Sequence, residues 1–434
     1  MSSKLSIDVR PLRYSRDLRL LYSGRAVSNL GSAIAAVAAA LQVYDLSHSS
    51  LAVGAISLVG AVPMVAAMLV GGTLADGYDR RLLISLSQAL AGLTAAGLAY
   101  NAASPHPRLW LLYALVALGG AVVGLGGPAR SAAVPTLVSS ELLSAAVTLN
   151  STVYQATTLL GPALAGLLVA RFGFIAAYGA DAAANFLCAL AVARMKPLRP
   201  SEANSRPGMR CFLEGLTFVR RHSLLIGLLL VDVNAMVFGM PSALFPALGT
   251  GIFHGGASVV GLLYAAPAAG ALIGAATSGW IARVRRAGPA LIASVVVWGG
   301  AIAGFGLTSV LPLALALLAV AGAADLVSEV FRSTLLQLFI PNSFRGRLSA
   351  LWLAQTNASP ALGNLEAGGV ATVTNPSFSV VSGGLACIAG ALLLGRLLPA
   401  LRDARLGAQD ARASLSRSQV PDPACTPPQL TSRP

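Results

Sequence analysis

The chain has 434 residues, of which 56% are hydrophobic and only 11% charged, and its formal net charge is +14. Its mean hydropathy of +0.73 excludes an ordinary soluble domain, in which about a quarter of residues are charged. A soluble-type enzyme domain goes with it.

A membrane helix needs about 20 mostly apolar residues. Twelve such runs are predicted, at 19–44, 51–75, 82–101, 109–131, 145–170, 174–194, 223–248, 258–282, 289–308, 311–336, 348–371 and 378–401. Gly and Pro recur inside them, which membrane bundles tolerate because small residues let helices approach closely. The expected architecture is an all-α membrane protein with two six-helix bundles. A tail (1–18) precedes the first bundle (19–194), a middle loop (195–222) joins it to the second (223–401), and a polar, Pro-containing tail (402–434) should be disordered. In the middle loop Phe212, Leu213, Leu216 and Val219 recur at helical spacing among Arg210, Arg220 and Arg221. That pattern predicts a short amphipathic helix on the inner membrane surface.

The 30 Lys and Arg explain the net charge by topology. Only Arg108 and Arg171 fall in loops assigned to the outside, and Arg25 falls in the first run. The others cluster in the tails and in the loops near 80, 130, 200–221, 284 and 345, or beside them. This positive-inside pattern predicts cytoplasmic termini. The expected partners are the bilayer, with some contact to anionic headgroups, and a small-molecule substrate. Nucleic acid is not expected.

Candidate functional residues follow in chain order. Arg25, in the segment Ser23-Gly-Arg-Ala-Val-Ser-Asn29, is set to hold an anionic group or to snorkel to the headgroups; Asn29 shares the segment. The loop from Gly72 to Ile84 places Asp76 at a basic rim beside Arg80 and Arg81. Asp76 is suited to cap a neighbouring helix or to pair with Arg130. In the fifth run Gly161-Pro162 removes a backbone hydrogen bond and allows a kink, and Gly166 opens a surface for tight packing. Asp232 falls near the middle of the seventh run, with Asn234 on another face. Ionisable groups at such depth are expensive and hence candidate sites, so Asp232 is the foremost cavity acid and proton carrier, with a buried ion pair as the alternative. In the tenth run Asp325 and Glu329 lie four apart on one face, with Arg332 three further on. That stripe suits an interdomain gate or a proton relay. Asn357 is a further cavity candidate in the eleventh run; Asp181 and Glu366 are weaker ones.

The two halves repeat. Arg130-Ser-Ala-Ala-Val-Pro-Thr-Leu-Val matches Arg332-Ser-Thr-Leu-Leu-Gln-Leu-Phe-Ile, and Gly161-Pro-Ala-Leu-Ala-Gly matches Gly363-Asn-Leu-Glu-Ala-Gly, both offset by 202. Val53-Gly54 and Gly71-Gly-Thr-Leu-Ala-Asp match Val260-Gly261 and Ser278-Gly-Trp-Ile-Ala-Arg at an offset of 207. Two related bundles with a cavity at their interface are the arrangement of many secondary transporters. Neither the four Cys nor the four His have ligand or disulfide spacing. The sequence contains no zinc-protease helix, phosphate-binding Gly-Lys loop or nucleophile elbow. No metal or cofactor is expected, and no nucleotide site to power transport.

The stretch Gly72-Thr-Leu-Ala-Asp-Gly-Tyr-Asp-Arg-Arg81 resembles the signature between helices 2 and 3 of the major facilitator superfamily. The segments 23–54, 70–81, 261–282 and 346–363 look like the branch that contains the enterobactin exporter and its bacterial relatives, a likeness running over roughly 15–400. The resemblance implies that Gly72, Asp76, Arg80 and Arg81 form a latch on the cytoplasmic side; Arg130, a candidate partner of Asp76, and Arg332, on the stripe of the tenth run, are expected at the same gate. It departs at Gly77, usually basic, and at Asp79, usually Gly. The Gly161-Pro162 segment resembles the signature of proton-coupled exporters. Asp325 and Glu329 depart from the small polar residues that the resemblance to the enterobactin exporter implies at these positions, which argues against assuming a catecholate cargo for this chain. The sequence therefore predicts a monomeric proton-coupled exporter of the bacterial plasma membrane, moving a siderophore or related metabolite by alternating access. The alternatives are a broad drug/proton antiporter and, from another class, a non-transporting membrane scaffold or sensor.

Overall fold

A computed structural model of the chain describes residues 10–199, 217, 219, 220, 222–339 and 345–405. Most of the amphipathic helix expected in the middle loop, and the tail beyond 405, lie outside the described residues; Val219 and Arg220 are helical.

The described chain is helical throughout. We number the long helices α1 (Arg16–Ser47), α2 (Ser50–Gly77), α3 (Arg80–Ala103) and α4 (Leu109–Leu137). A continuous 54-residue helix, Ser140–Ala193, follows; only Gly173 inside it leaves helical geometry, at φ 75°. Gly alone enters that region without a Cβ penalty, so the helix divides there into α5 (140–172) and α6 (174–193). The span Ser223–Gly251 is α7, followed by α8 (Gly256–Thr277), α9 (Ala287–Leu307), α10 (Leu311–Phe339), α11 (Arg345–Val373) and α12 (Pro376–Leu397). Among the described residues ten helices are long and apolar enough to cross a membrane. The Ser140–Ala193 helix counts once among them, and α11, of lower mean hydropathy, is not included. The chain is a multi-pass membrane protein.

The boundaries have local causes. Ser15, Ser49 and Asn375 accept from the third backbone N–H beyond them, and Asp79 accepts from Arg81 N–H at 2.9 Å. Each cap satisfies an orphan donor of a helix start.

Packing follows the repeat. In the first half α2 packs on α4, α3 on α4 and α6, and α1 along the Ser140–Ala193 helix. In the second half α8 packs on α10, α9 on α10 and α12, and α7 on α11 and α12. Small residues set these distances. A Cβ on Gly120 would strike the Gly60 carbonyl, and one on Gly322 the Pro267 carbonyl.

The halves meet along two equivalent seams, α2 on α11 and α5 on α8. A Cβ on Gly54 would meet the backbone of Asn364, and one on Gly261 the Pro162 carbonyl at 2.6 Å. A Cβ on Gly368 would lie 2.5 Å from the Ser50 carbonyl, and one on Gly166 2.7 Å from that of Ala257. These are the positions that the sequence repeat pairs: Gly54 with Gly261, and Gly161-Pro162 with Gly363-Asn364. Both seams lie at the end of the bundle where α2 and α8 begin. At the opposite end Gly72, Gly77 and Gly279 face open space.

Candidate transport site

Helix α7 is not continuous. It is α-helical over Ser223–Phe238, breaks at Gly239, Met240 and Pro241, makes one 3-10 turn at Ser242–Leu244 and resumes at Phe245–Gly251. Pro241 has no N–H to donate and Gly239 tolerates the bend, so the ladder stops. Inside a membrane the freed groups must find partners. Asn364 on α11 supplies them: its Oδ1 accepts from Ala243 N–H at 2.9 Å and from Ser242 Oγ at 2.7 Å. Its Nδ2 donates across the seam to Ser57 Oγ of α2 at 3.2 Å. The carbonyl of Ser242 accepts from Tyr264 Oη at 2.8 Å.

This break forms one wall of a cavity of about 450 Å³ between the halves. Gln155, Thr158 and Pro162 contribute from α5; α7 to α10 supply the other walls. Most of the lining is apolar, with Met236, Met240, Phe245, Tyr264 and Trp298 prominent. The polar pole is Asp325 and Glu329, which reach the cavity from one face of α10.

Asp232 does not line this cavity. It is buried behind it, 3% exposed, and ion-paired with Arg332 of α10. Gln355 Nε2 of α11 donates to its second oxygen at 3.0 Å and also to the Leu229 carbonyl. Arg332, 2% exposed, also holds Glu329 at 2.6 Å and lies over the Trp352 ring. The ion pair left open as the alternative for Asp232 is thus present, and its base is Arg332. Asn234 donates to the Cys387 carbonyl at 2.9 Å and packs on α12. Arg25, Asn29, Asn234 and Asn357 are also absent from this cavity's lining.

Arg130, the repeat partner of Arg332, has neutral acceptors. It donates to Gln88 Oε1 at 3.2 Å and to the Val123 carbonyl at 2.9 Å. Gln88 Nε2 donates to Ser28 Oγ at 2.6 Å, and Ser28 to Asn185 Oδ1 at 2.9 Å. Asn185 donates to Asp181 Oδ1 at 2.7 Å, which Ser32 also reaches at 3.2 Å. A buried polar chain therefore runs from α4 to α6 through α3 and α1.

At the rim, Asp76 is exposed and makes no ion pair among the described residues. Asp79 organises the loop instead: its Oδ1 caps α3 and accepts from Leu198 N–H at 2.9 Å. Arg80 donates to the carbonyls of Ala75 and Ala132, and Arg81 to that of Met195. All these bonds stay within the first half and the start of the middle loop. The backbone remains helical through Gly161 and Pro162. Gly161 lies against Ala33 of α1, while Pro162 and Gly166 form the α5–α8 seam. No group of three or more His, Cys, Asp or Glu suited to a metal occurs among the described residues.

Sequence reasoning found Asp325, Glu329 and Pro162 but missed Gln88, Asn185, Gln355 and Asn364. The clue for Asn364 was the Gly-Met-Pro sequence at 239–241, which had to break α7 and so needed a polar partner.

Solved structures share this architecture. A POT family transporter in complex with 5-aminolevulinic acid superposes with a TM-score of 0.70 at 14% identity, over 89% of this chain and 97% of that one. A bacterial homolog of the human lysosomal transporter Spinster, inward-facing and unoccupied, gives 0.67 at 14% identity over 96% and 100%. At these identities the likeness concerns the fold alone. Curated relatives are nearer. The chain is 32% identical to the enterobactin exporter EntS of Citrobacter koseri over 385 residues, 88% of this chain and 92% of that protein. It is also 32% identical to the EntS proteins of Shigella boydii and Escherichia coli, over 88% of this chain and 90% of theirs. Residues 8–427 match the family described as transmembrane secretion effector. With its doubled bundle, broken α7 and central cavity, the chain belongs to that family of major facilitator superfamily transporters.

Proposed function

We propose that the chain is a proton-coupled exporter that carries a siderophore or a related amphipathic metabolite out of the cytoplasm, and that it is not an enzyme. The observation that carries this reading is the cavity between the halves, closed at one end by the two glycine seams. Alternating access needs such a site and two rigid bodies that can close on either side of it. The charge bias supports cytoplasmic termini in a bacterial inner membrane. The seams then lie outside, and the conformation described faces the cytoplasm. In this reading the transporting unit is the monomer.

An ion gradient is the energy source, with the proton as coupling ion. Asp325 and Glu329 face the cavity and can reach water from alternate sides, whereas Asp232 is held by Arg332 and Gln355. The α10 acids are therefore the proton carriers of this reading. Asp76, Arg80 and Arg81 act as a cytoplasmic latch that engages only when the inner side closes.

Two measurements test the reading. A deletion strain should lose a secreted metabolite from its medium, and a plasmid copy should restore it. Proteoliposomes containing the purified chain should move that metabolite only while a proton gradient persists. Transport that continues after a protonophore collapses the gradient would refute the coupling.

A further inference from the structure

The cavity differs from its surroundings in the sign of its charge. Among the described residues its two ionisable lining groups other than Tyr264 are both acids, and no Lys or Arg lines it. Arg332, which does not line the cavity, is engaged by two carboxylates, Asp232 and the lining residue Glu329. Asp325 has no such partner. Its Oδ1 is shut off from solvent and accepts no hydrogen bond among the described residues, although the residue lines the cavity. An unpaired carboxylate in a low-dielectric wall is costly unless a proton or an incoming cation neutralises it.

The remaining walls suit the same ligand. Phe245 and Tyr264 meet edge-to-face at 4.9 Å, and Trp298 completes an aromatic side. Aromatic faces attract cations, most strongly where water is excluded. Met236 and Met240 add polarizable surface that adapts to varied shapes. A volume of about 450 Å³ lies in the range that encloses drug-sized ligands. An anionic catechol or carboxylate would instead face two acids without a lining cation.

We propose that this cavity binds an amphipathic cation, an apolar or aromatic body carrying an amine or other positive centre, with Asp325 as its counter-charge. The inference rests on the export reading above and narrows its cargo by charge. Glu329, half-committed to Arg332, is the secondary contact.

The test uses the full-length protein in detergent with two probes, tetraphenylphosphonium as the cation and dihydroxybenzoate as the anionic catechol. Tetraphenylphosphonium should bind saturably and dihydroxybenzoate should not displace it. Asp325→Asn should weaken binding about tenfold or more, the scale of removing one partner of a desolvated charge pair. Asp325→Glu, which keeps the charge, should restore much of it, so that a fold defect is distinguishable from lost charge. Absence of tetraphenylphosphonium binding, binding indifferent to Asp325→Asn in a monodisperse variant, or displacement by dihydroxybenzoate would each overturn the assignment. Proteoliposomes separate the two levels. Gradient-driven movement of dihydroxybenzoate but not of tetraphenylphosphonium would keep export and refute the cation site. Asp325-dependent binding of tetraphenylphosphonium with no transport of either probe would keep the site and refute export.

Discussion

The seams permit a worked prediction. A methyl group at Gly54 would press on the Asn364 carbonyl, with the Asn364 carbonyl carbon at 2.8 Å and Leu365 Cα at 3.0 Å. All three are backbone atoms, so no rotamer change relieves the clash. Comfortable carbon contacts begin near ~3.5 Å, and α2 must therefore move away from α11 by roughly 1 Å. Overpacking of this kind costs about 1–3 kcal/mol. The strain acts only where the seam is closed, so it shifts the conformational equilibrium about 5- to 150-fold toward the form open at this end. Gly261→Ala, against the Pro162 carbonyl at 2.6 Å, should act alike on the other seam. The assay places one cysteine at Ala268 in the cavity of an otherwise Cys-free chain. It follows labelling by a membrane-impermeant thiol reagent applied outside intact cells. Gly54→Ala and Gly261→Ala should each raise the labelling rate at least fivefold. Gly300→Ala, where a Cβ has no neighbour within 4 Å, should leave it unchanged. Equal rates in all three folded variants would refute the claim that these seams close the outer side.

Three further outcomes are expected. Asp232→Asn removes the buried one of the two carboxylates that hold Arg332 and should cost up to about 3–5 kcal/mol, seen as a lower unfolding temperature in detergent. The double change Asp232→Leu with Arg332→Leu should recover most of that loss, and failure to do so would mean the pair has a role beyond mutual neutralisation. Asp76→Asn should abolish most transport while the variant still reaches the membrane in normal amount; normal export would remove the latch. With cytoplasmic termini, His106→Cys should label from outside and Arg206→Cys should not, and the reverse pattern would invert the topology.

The architecture was legible because its causes are local or repeated. Twenty-residue apolar runs report membrane helices one at a time, and the internal matches cover Gly54, Gly261 and Pro162, which the structure places at the seams. What the sequence hid were partnerships. Asp232 lay at a suitable depth for a cavity acid, but depth says nothing of azimuth. Whether a helical residue faces a cavity or its own bundle depends on how α7 rotates against α10 and α11, and that is set by packing over the whole half. Arg332 was read with Glu329 on one stripe, and the structure adds that the guanidinium reaches past that stripe to α7. Asp79 was visible only as a departure from a motif. Its value as a cap and as an anchor for Leu198 depends on a chain segment more than a hundred residues away.

The repeat also shows where two copies of one unit diverged. Arg130 and Arg332 occupy matching positions, on α4 and α10, and each is held by one polar group of a neighbouring helix and one of its own helix. In the first half those groups are the Gln88 amide and the Val123 carbonyl, which satisfy hydrogen bonds and leave the positive charge intact. In the second half they are the carboxylates of Asp232 and Glu329, which cancel it. Asp325, four residues before Glu329, then stands as an acid without a basic partner among the described residues. Duplication thus preserved the seams, whose geometry both halves must share in order to rock as rigid bodies. It released the charged positions, which only one half needs to present to a cargo. A symmetric scaffold with an asymmetric charge is what a carrier requires if binding is to be confined to one wall while both walls move.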